Sequence, residues 1–356
     1  MKPPRIGGID CDIHPALPGL SSLLPYLSDH WREMVQQSGL HELETMNYPP
    51  GSPLSARADW RPAEGKAGST LDQLRAQALD PFGTEFAICN CLYGVQILFS
   101  EDQAAAISRA INHWMAREWL DRELRLRASI IVPMQSPELA VEEIEFWARD
   151  SRFVQVLMLV TGDLPLGKRH YWPIYAAAAR HSLPVGIHAG SSFRYPTTPV
   201  GWTSYYAEDY VNQAQAFQTQ LTSLICEGVF SKFPELRVVL IESGFTWLPA
   251  HIWHLAKFWR GLRMEVPWVD RSPFEIVRDQ VRLTLQPVDA PPRRDQFEKL
   301  MEQMGSDRLL LYSTDYPHWQ FDGEEVLPDH LPEPLLRKIM IDNPRETYPR
   351  LLETVS

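Results

Sequence analysis

The stretch Ile9-Asp10-Cys11-Asp12-Ile13-His14-Pro15 decides how the chain is read. It follows the apolar, glycine-softened run Ile6-Gly7-Gly8 and ends in a proline, as a short buried strand enters and leaves a core. Residues two apart on a strand share a face, so Asp12 and His14 project side by side, a carboxylate next to an imidazole. At the carboxyl end of a first strand such a pair makes half of a metal site. Taken alone it has an ordinary alternative, an aspartate capping a turn beside a surface histidine. The remaining strands must decide between the two.

Seven further segments read as strands: 86–93, 128–134, 153–160, 184–188, 237–242, 281–286 and 309–313. Most are continuous apolar runs, as strands covered on both sides must be. Helical patterns alternate with them over 70–79, 100–124, 172–181, 202–230, 245–262, 293–304 and 335–351, with another opening at 136. Ser100 is placed to cap the second of these, with Glu101 and Asp102 in its first turn. Ser136-Pro137-Glu138 is a comparable opening, with proline at the first helical position. Eight alternating units predict an α/β fold, a (β/α)8 TIM barrel. The competing open, doubly wound sheet needs a glycine-rich phosphate loop after strand one, where Asp12, His14 and Pro15 stand instead. The barrel is expected to be a single domain over residues 1–356. Its long insertion, 15–69, would cover the active site, with helical periodicity over 20–38.

Composition narrows the function. The 356 residues are 44% hydrophobic and 11% aromatic, which describes a well-cored globular protein. A net charge of −11 without a basic run argues against nucleic-acid binding. No apolar run reaches membrane-spanning length, and MKPPRIGGID lacks the apolar centre of a secretory signal. Cys11, Cys89, Cys91 and Cys226 form no CxxC motif. They read as buried thiols of a cytoplasmic protein.

The carboxyl ends of barrel strands share one mouth. Strand one brings Asp12 and His14 there, strand five His188, strand six Glu242 and strand eight Asp315. Metal-ligating groups at four strand ends on one side of a barrel point to a metal site.

These residues carry a resemblance. DCDIHP, VGIHAG, the block Gly228–His254 (GVFSKFPELRVVLIESGFTWLPAHIWH) and LYSTDYPHW resemble the amidohydrolase superfamily, over nearly the whole chain. The similarity is to its amidohydrolase-2 branch, which includes aminocarboxymuconate-semialdehyde decarboxylase and γ-resorcylate decarboxylase. It implies that Asp12, His14, His188 and Asp315 hold one divalent metal. The superfamily's usual first-strand H-x-H is replaced here by Asp12-x-His14. Where many relatives place a catalytic histidine on strand six, this chain has Glu242, and His251 or His254 on the next helix are substitutes for that imidazole. The superfamily's second metal typically needs a carboxylated lysine on strand four. Segment 153–161 contains none, so one ion is expected. Nitrogen and oxygen ligands without thiolate suit zinc, and the high oxygen share admits manganese.

The expected function is a metal-dependent hydrolase. It would act on a small cyclic, aromatic or unsaturated carboxylic substrate through a metal-activated water. Asp315 or Glu242 would move protons, and His318 would orient Asp315. One alternative is a non-oxidative decarboxylase using the same site; another is a metal-stabilised binding barrel without catalysis. Arg194, Tyr195, Trp60 and Arg282 are the candidate substrate-binding residues, the arginines as carboxylate clamps. A homodimer or higher homo-oligomer is expected.

Overall fold

The computed structural model describes residues 7–40, 42–43, 55–190, 195–291, 293–321 and 331–353. Eight strands run parallel in sequence order: β1 (Ile9–Ile13), β2 (Phe86–Cys89), β3 (Leu126–Ile131), β4 (Phe153–Leu159), β5 (Val185–His188), β6 (Val238–Ile241), β7 (Val281–Thr284) and β8 (Leu310–Leu311). Each pairs with the next, and backbone hydrogen bonds close the ring between β8 and β1. Cys11 N donates to Tyr312 O at 2.9 Å, His14 N to Tyr316 O at 2.7 Å, and Asp315 N to Asp12 O at 3.0 Å. The fold is the predicted (β/α)8 barrel.

The strands are shorter than their apolar runs. β8 keeps two of the five predicted residues, because the chain after Leu311 leaves the ladder to form the turn that carries Asp315. β4 is buried at all seven positions, as a strand sandwiched between barrel interior and helix layer requires.

The helices form the outer layer. α1 (Asp29–Ser38) lies in the connection after β1. α2 (Glu101–Trp114) begins where predicted, with Ser100 Oγ accepting from Gln103 N at 3.3 Å, and continues as a π-helical stretch, Met115–Leu120. α3 (Pro137–Trp147), α4 (Trp172–Arg180), α5 (Tyr206–Cys226) and α6 (Leu248–Leu262) follow β3, β4, β5 and β6. α7 (Pro273–Gln280) lies outside the predicted helices, although Ser272-Pro273-Phe274-Glu275 is a capping box with proline at the first turn. α8 (Arg294–Met304) precedes β8. The C-terminal segment is helical over 333–347, its middle, Lys338–Asp342, π-helical, and breaks only at Tyr348 before a 3₁₀ turn, Pro349–Leu352.

Part of the long connection after β1 is stitched over the barrel mouth. Arg57 N donates to Pro317 O and Trp319 N to Ser55 O, at 2.9 and 2.7 Å, so segment 55–57 runs antiparallel to the loop leaving β8. No helix among the described residues is long and apolar enough to cross a membrane.

Candidate metal centre

β1 delivers its two polar side chains to the centre of the mouth. Asp12 is fully buried and His14 nearly so. The His14 Nδ1 lies 2.8 Å from the Asn90 carbonyl, to which it donates, leaving Nε2 to face inward. That Nε2 is 3.0 Å from Asp315 Oδ1, 3.2 Å from Asp12 Oδ1 and 3.5 Å from Glu242 Oε1. His188 ends β5 in the same way. Its Nδ1 donates to the Ala189 carbonyl at 2.5 Å, and its Nε2 stands 3.5 Å from Glu242 Oε1 and 3.7 Å from Asp12 Oδ2. Both rings therefore present the same nitrogen to one point.

Glu242 and Asp315 reach that point through strained backbone. Among the described residues, three that are not glycine have positive φ: Ser182, Glu242 and Asp315. A left-handed conformation costs a side-chain-bearing residue on the order of 1–2 kcal/mol, so the surrounding bonds must impose it. Glu242 N donates to Thr284 Oγ1 at 3.0 Å. Asp10 accepts from Thr314 N and Thr314 Oγ1 at 3.0 and 2.6 Å, holding the residue before Asp315. His318 completes the cluster. Its Nδ1 is 2.5 Å from Asp315 Oδ1 and 3.3 Å from Glu242 Oε1, and its ring stacks on His14 with centroids 4.6 Å apart.

The ligand atoms fall into two overlapping groups, each spanning no more than 4.8 Å: Asp12, His14, His188 and Glu242; and His14, Glu242, Asp315 and His318. The resemblance implied Asp315 as the fourth member beside Asp12, His14 and His188. The geometry adds Glu242 to the first three and places Asp315, whose Oδ1 lies 3.0 Å from His14 Nε2, in the second group with Glu242 and His318.

Charge explains how such a cluster tolerates burial. Burial opposes ionisation of Asp12, but His14 and His188 together hold its carboxyl below the usual range. Glu242 is likewise held low against its burial, by His188 and by hydrogen bonds to His14 and His318. Asp315 is pushed up to about 6 by burial and by Glu242. His14 and His188 are raised despite burial, and His318 to about 9, each by its neighbouring carboxylates. The fit to a cation is direct: Asp12 Oδ2, His188 Nε2 and Asp315 Oδ2 are buried without hydrogen-bond partners. A divalent ion satisfies such atoms and replaces the imidazole protons.

A cavity of about 580 Å³ opens above His14 and His318. Its walls come from the connection after β1, including Arg61 and Lys66, and from Cys91, Leu92 and Pro317. Lys66 is steadied by Glu42 at 2.9 Å.

The predicted substrate-binding residues fare differently. Arg282 is fully buried near the start of β7, donating to the Arg278 and Val281 carbonyls and lying 3.4 Å from Glu346. It faces the opposite end of the barrel and is not a clamp at the mouth, because the second residue of a strand lies near its amino end. Trp60 is buried too, stacked on Phe321 at 5.4 Å and against Tyr316 at 5.0 Å, and belongs to the packing beneath the loop. Tyr195 bonds Asp163 beside a small separate cavity with Met134 and Tyr171. Arg194 lies outside the described residues. His251 bonds Thr222 at 3.0 Å between α5 and α6, whereas His318 brings a third imidazole to the cluster. Residue reading missed Arg61, Lys66 and Asn90. The last carried a signal, an amide at the end of the apolar run of strand two.

A family model described as Amidohydrolase matches residues 9–350, and the chain belongs to that family. It is an enzyme of the family's hydrolase or carboxy-lyase class. It is 23% identical over 274 residues to a γ-resorcylate decarboxylase of Polaromonas sp., covering 74% of this chain and 82% of that one. An amidohydrolase structure from Mycobacterium avium subsp. paratuberculosis superposes with a TM-score of 0.72 at 21% identity, covering 96% and 98% of the two chains. The structure of a dihydroxybenzoic acid decarboxylase from Polaromonas sp., with bound manganese and the inhibitor 2-nitroresorcinol, superposes with a TM-score of 0.66 at 19% identity, covering 98% and 99%.

Proposed function

We propose that the chain is a metal-dependent, non-oxidative decarboxylase of a small hydroxylated aromatic acid. The observation that carries this reading is the pairing of one buried carboxylate–imidazole centre with a cavity whose rim holds two cations, Arg61 and Lys66. A site already rich in carboxylates attracts an anionic substrate only if cations face it. The relatives support the same reaction, since named activities among them include γ-resorcylate, dihydroxybenzoic acid and 5-carboxyvanillate decarboxylases. The hydrolase expected from the sequence gains no support from them, and the non-catalytic barrel gives way to an enzyme.

In this reading Asp12, His14, His188 and Glu242 hold the ion. Three carboxylates in the cluster, counting Asp315, and the absence of thiolate favour a hard ion such as manganese over zinc. When bound, the ion supplies positive charge for the substrate's carboxylate and neighbouring oxygen. Arg61 and Lys66 bind and orient the carboxylate, and the walls of the cavity exclude water from the ring. Asp315 and His318 share a proton along their Oδ1–Nδ1 contact. We assign to this pair delivery of the proton to the ring carbon from which carbon dioxide departs: the carbon–carboxyl bond breaks and a carbon–hydrogen bond forms. The pair regains its proton from water. The whole chain acts as one barrel domain on a small molecule, and we retain a homo-oligomer as its assembly.

The test is carbon dioxide release from a panel of hydroxybenzoates by protein loaded with manganese. Evolution of carbon dioxide with the matching phenol is expected. Opening of lactones or amides, with no release from any acid, would overturn the proposal in favour of hydrolysis.

A further inference from the structure

A chain of buried polar side chains crosses the barrel interior and ends on a ligand. Tyr348, in the C-terminal segment, donates its hydroxyl to Gln155 Oε1 at 3.1 Å. Gln155 Nε2 donates to Ser129 Oγ at 2.8 Å, and Ser129 Oγ to Asn90 Oδ1 at 2.6 Å. Asn90 Nδ2 then donates to Asp12 Oδ1 at 2.8 Å. Every member is at most 2% exposed, so none of these bonds competes with water.

Two features make this more than core polarity. All four bonds point the same way, each donor facing toward Asp12, so each polarises the next and the last proton falls on a carboxylate. An ionised Asp12 accepts only, which orients the Asn90 amide; its oxygen then takes the donors from Ser129 and, at 3.3 Å, Gln155. The backbone carbonyl of residue 90 also holds the second ligand, accepting from His14 Nδ1 whatever side chain stands there. One residue thus ties down both β1 ligands, leaving Asp12 Oδ2 unpartnered. Gly186 shows that the fold reserves room for the chain. A Cβ there would lie 2.6 Å from the Gln155 amide, which accounts for the first glycine of VGIHAG.

We propose that the Asn90 side chain, backed by Ser129, Gln155 and Tyr348, is a positioning group that sets the affinity of the centre for its ion by fixing Asp12. The proposal rests on the metal-centre reading. Removing the hydrogen-bond partner of a ligand typically weakens metal binding 10- to 100-fold.

Competition with a fluorescent chelator measures the Mn²⁺ dissociation constant of the full-length protein and its variants. For Asn90→Ala it is expected to rise about 10- to 100-fold. Ser129→Ala and Tyr348→Phe, which act through Asn90, should raise it about two- to fivefold. Ser108→Ala is the control, a buried serine on α2 whose hydroxyl bonds none of these side chains, and should leave it unchanged. A wild-type protein that binds no Mn²⁺ would refute the metal centre itself. Tight wild-type binding with Asn90→Ala within about twofold would refute the positioning role alone. Equal weakening by Ser108→Ala would do the same, by showing a general loosening. Should Asn90→Ala not fold, Ser129→Ala carries the test, and an unchanged constant there overturns the proposal.

Discussion

Glu242 and Asp315 hold the same left-handed backbone conformation, φ +57° and +56°, in the segments leaving β6 and β8. Both side chains are turned by it onto His14 and His318. Their environments nevertheless differ. Glu242 is held ionised between His14 and His188, while Asp315 is pushed toward its protonated form.

Glu242→Gln and Asp315→Asn should therefore fail differently. Glu242→Gln is expected to weaken Mn²⁺ binding at least about tenfold, the lower end of losses seen when a ligand's support is removed. Asp315→Asn should lower kcat by about 10²–10⁴-fold, the range of general acid–base catalysis, with a smaller change in metal affinity. Asparagine accepts a positive φ more readily than most residues, so this variant should fold. Steady-state kinetics beside metal titration separates the two, and identical profiles for both variants would contradict the division.

Arg61 and Lys66 should govern substrate capture more than turnover. Arg61→Ala and Lys66→Ala are each expected to raise KM for an aromatic carboxylate by about tenfold or more, the cost of one charge-assisted bond, with kcat changed less. Arg61→Lys should recover part of the loss, because the charge survives without the bidentate fork. An unchanged KM in both alanine variants would remove these cations from the site.

Chelation should cost both activity and stability. An ion that binds the folded chain alone contributes about 4 kcal/mol at a thousandfold excess over its dissociation constant, or on the order of 5 °C in Tm for a chain of this size. Calorimetry of chelator-treated protein should show that drop, and added manganese should reverse it together with turnover. Full activity after exhaustive chelation would contradict a metal-dependent reaction.

Acid stability should depend on Glu123. Arg125 binds its carboxylate at 2.9 Å and Arg75 at 2.8 Å, and the pKa falls to about 2 from an ordinary 4.5. A carboxyl with a depressed folded-state pKa contributes its full stabilisation above the unfolded value and loses it as pH falls from there through the folded one. The window is thus from 4.5 down to about 2. With the arginines partly exposed, the contribution is on the order of 1–2 kcal/mol. Glu123→Gln should be less stable than wild type by that amount at pH 7, and the gap should narrow below pH 4. A constant gap across thermal melts at those pH values would rule the ion pairs out as its origin.

The alternation of apolar strand runs with capped helices, and polar residues at strand ends, determined the barrel and put Asp12, His14, His188, Glu242 and Asp315 at one mouth before any coordinates. That much follows from periodicity, because side-chain direction along a strand or helix is a local property. Which of those groups share an ion is not local. Glu242 reaches Asp12 and His188, and Asp315 reaches His14 and His318, through two left-handed residues held by Thr284 and Asp10 from other segments. Arg282 shows the same limit from the other side. A buried arginine on a strand reads as a clamp until its height in the barrel is known, and only the register of β7 against β6 and β8 sets that height. Asn90 and the cations of the cavity rim were out of reach for a like reason, since Asn90 meets Asp12 78 residues away, and the rim meets Pro317 and His318, only when the ring closes.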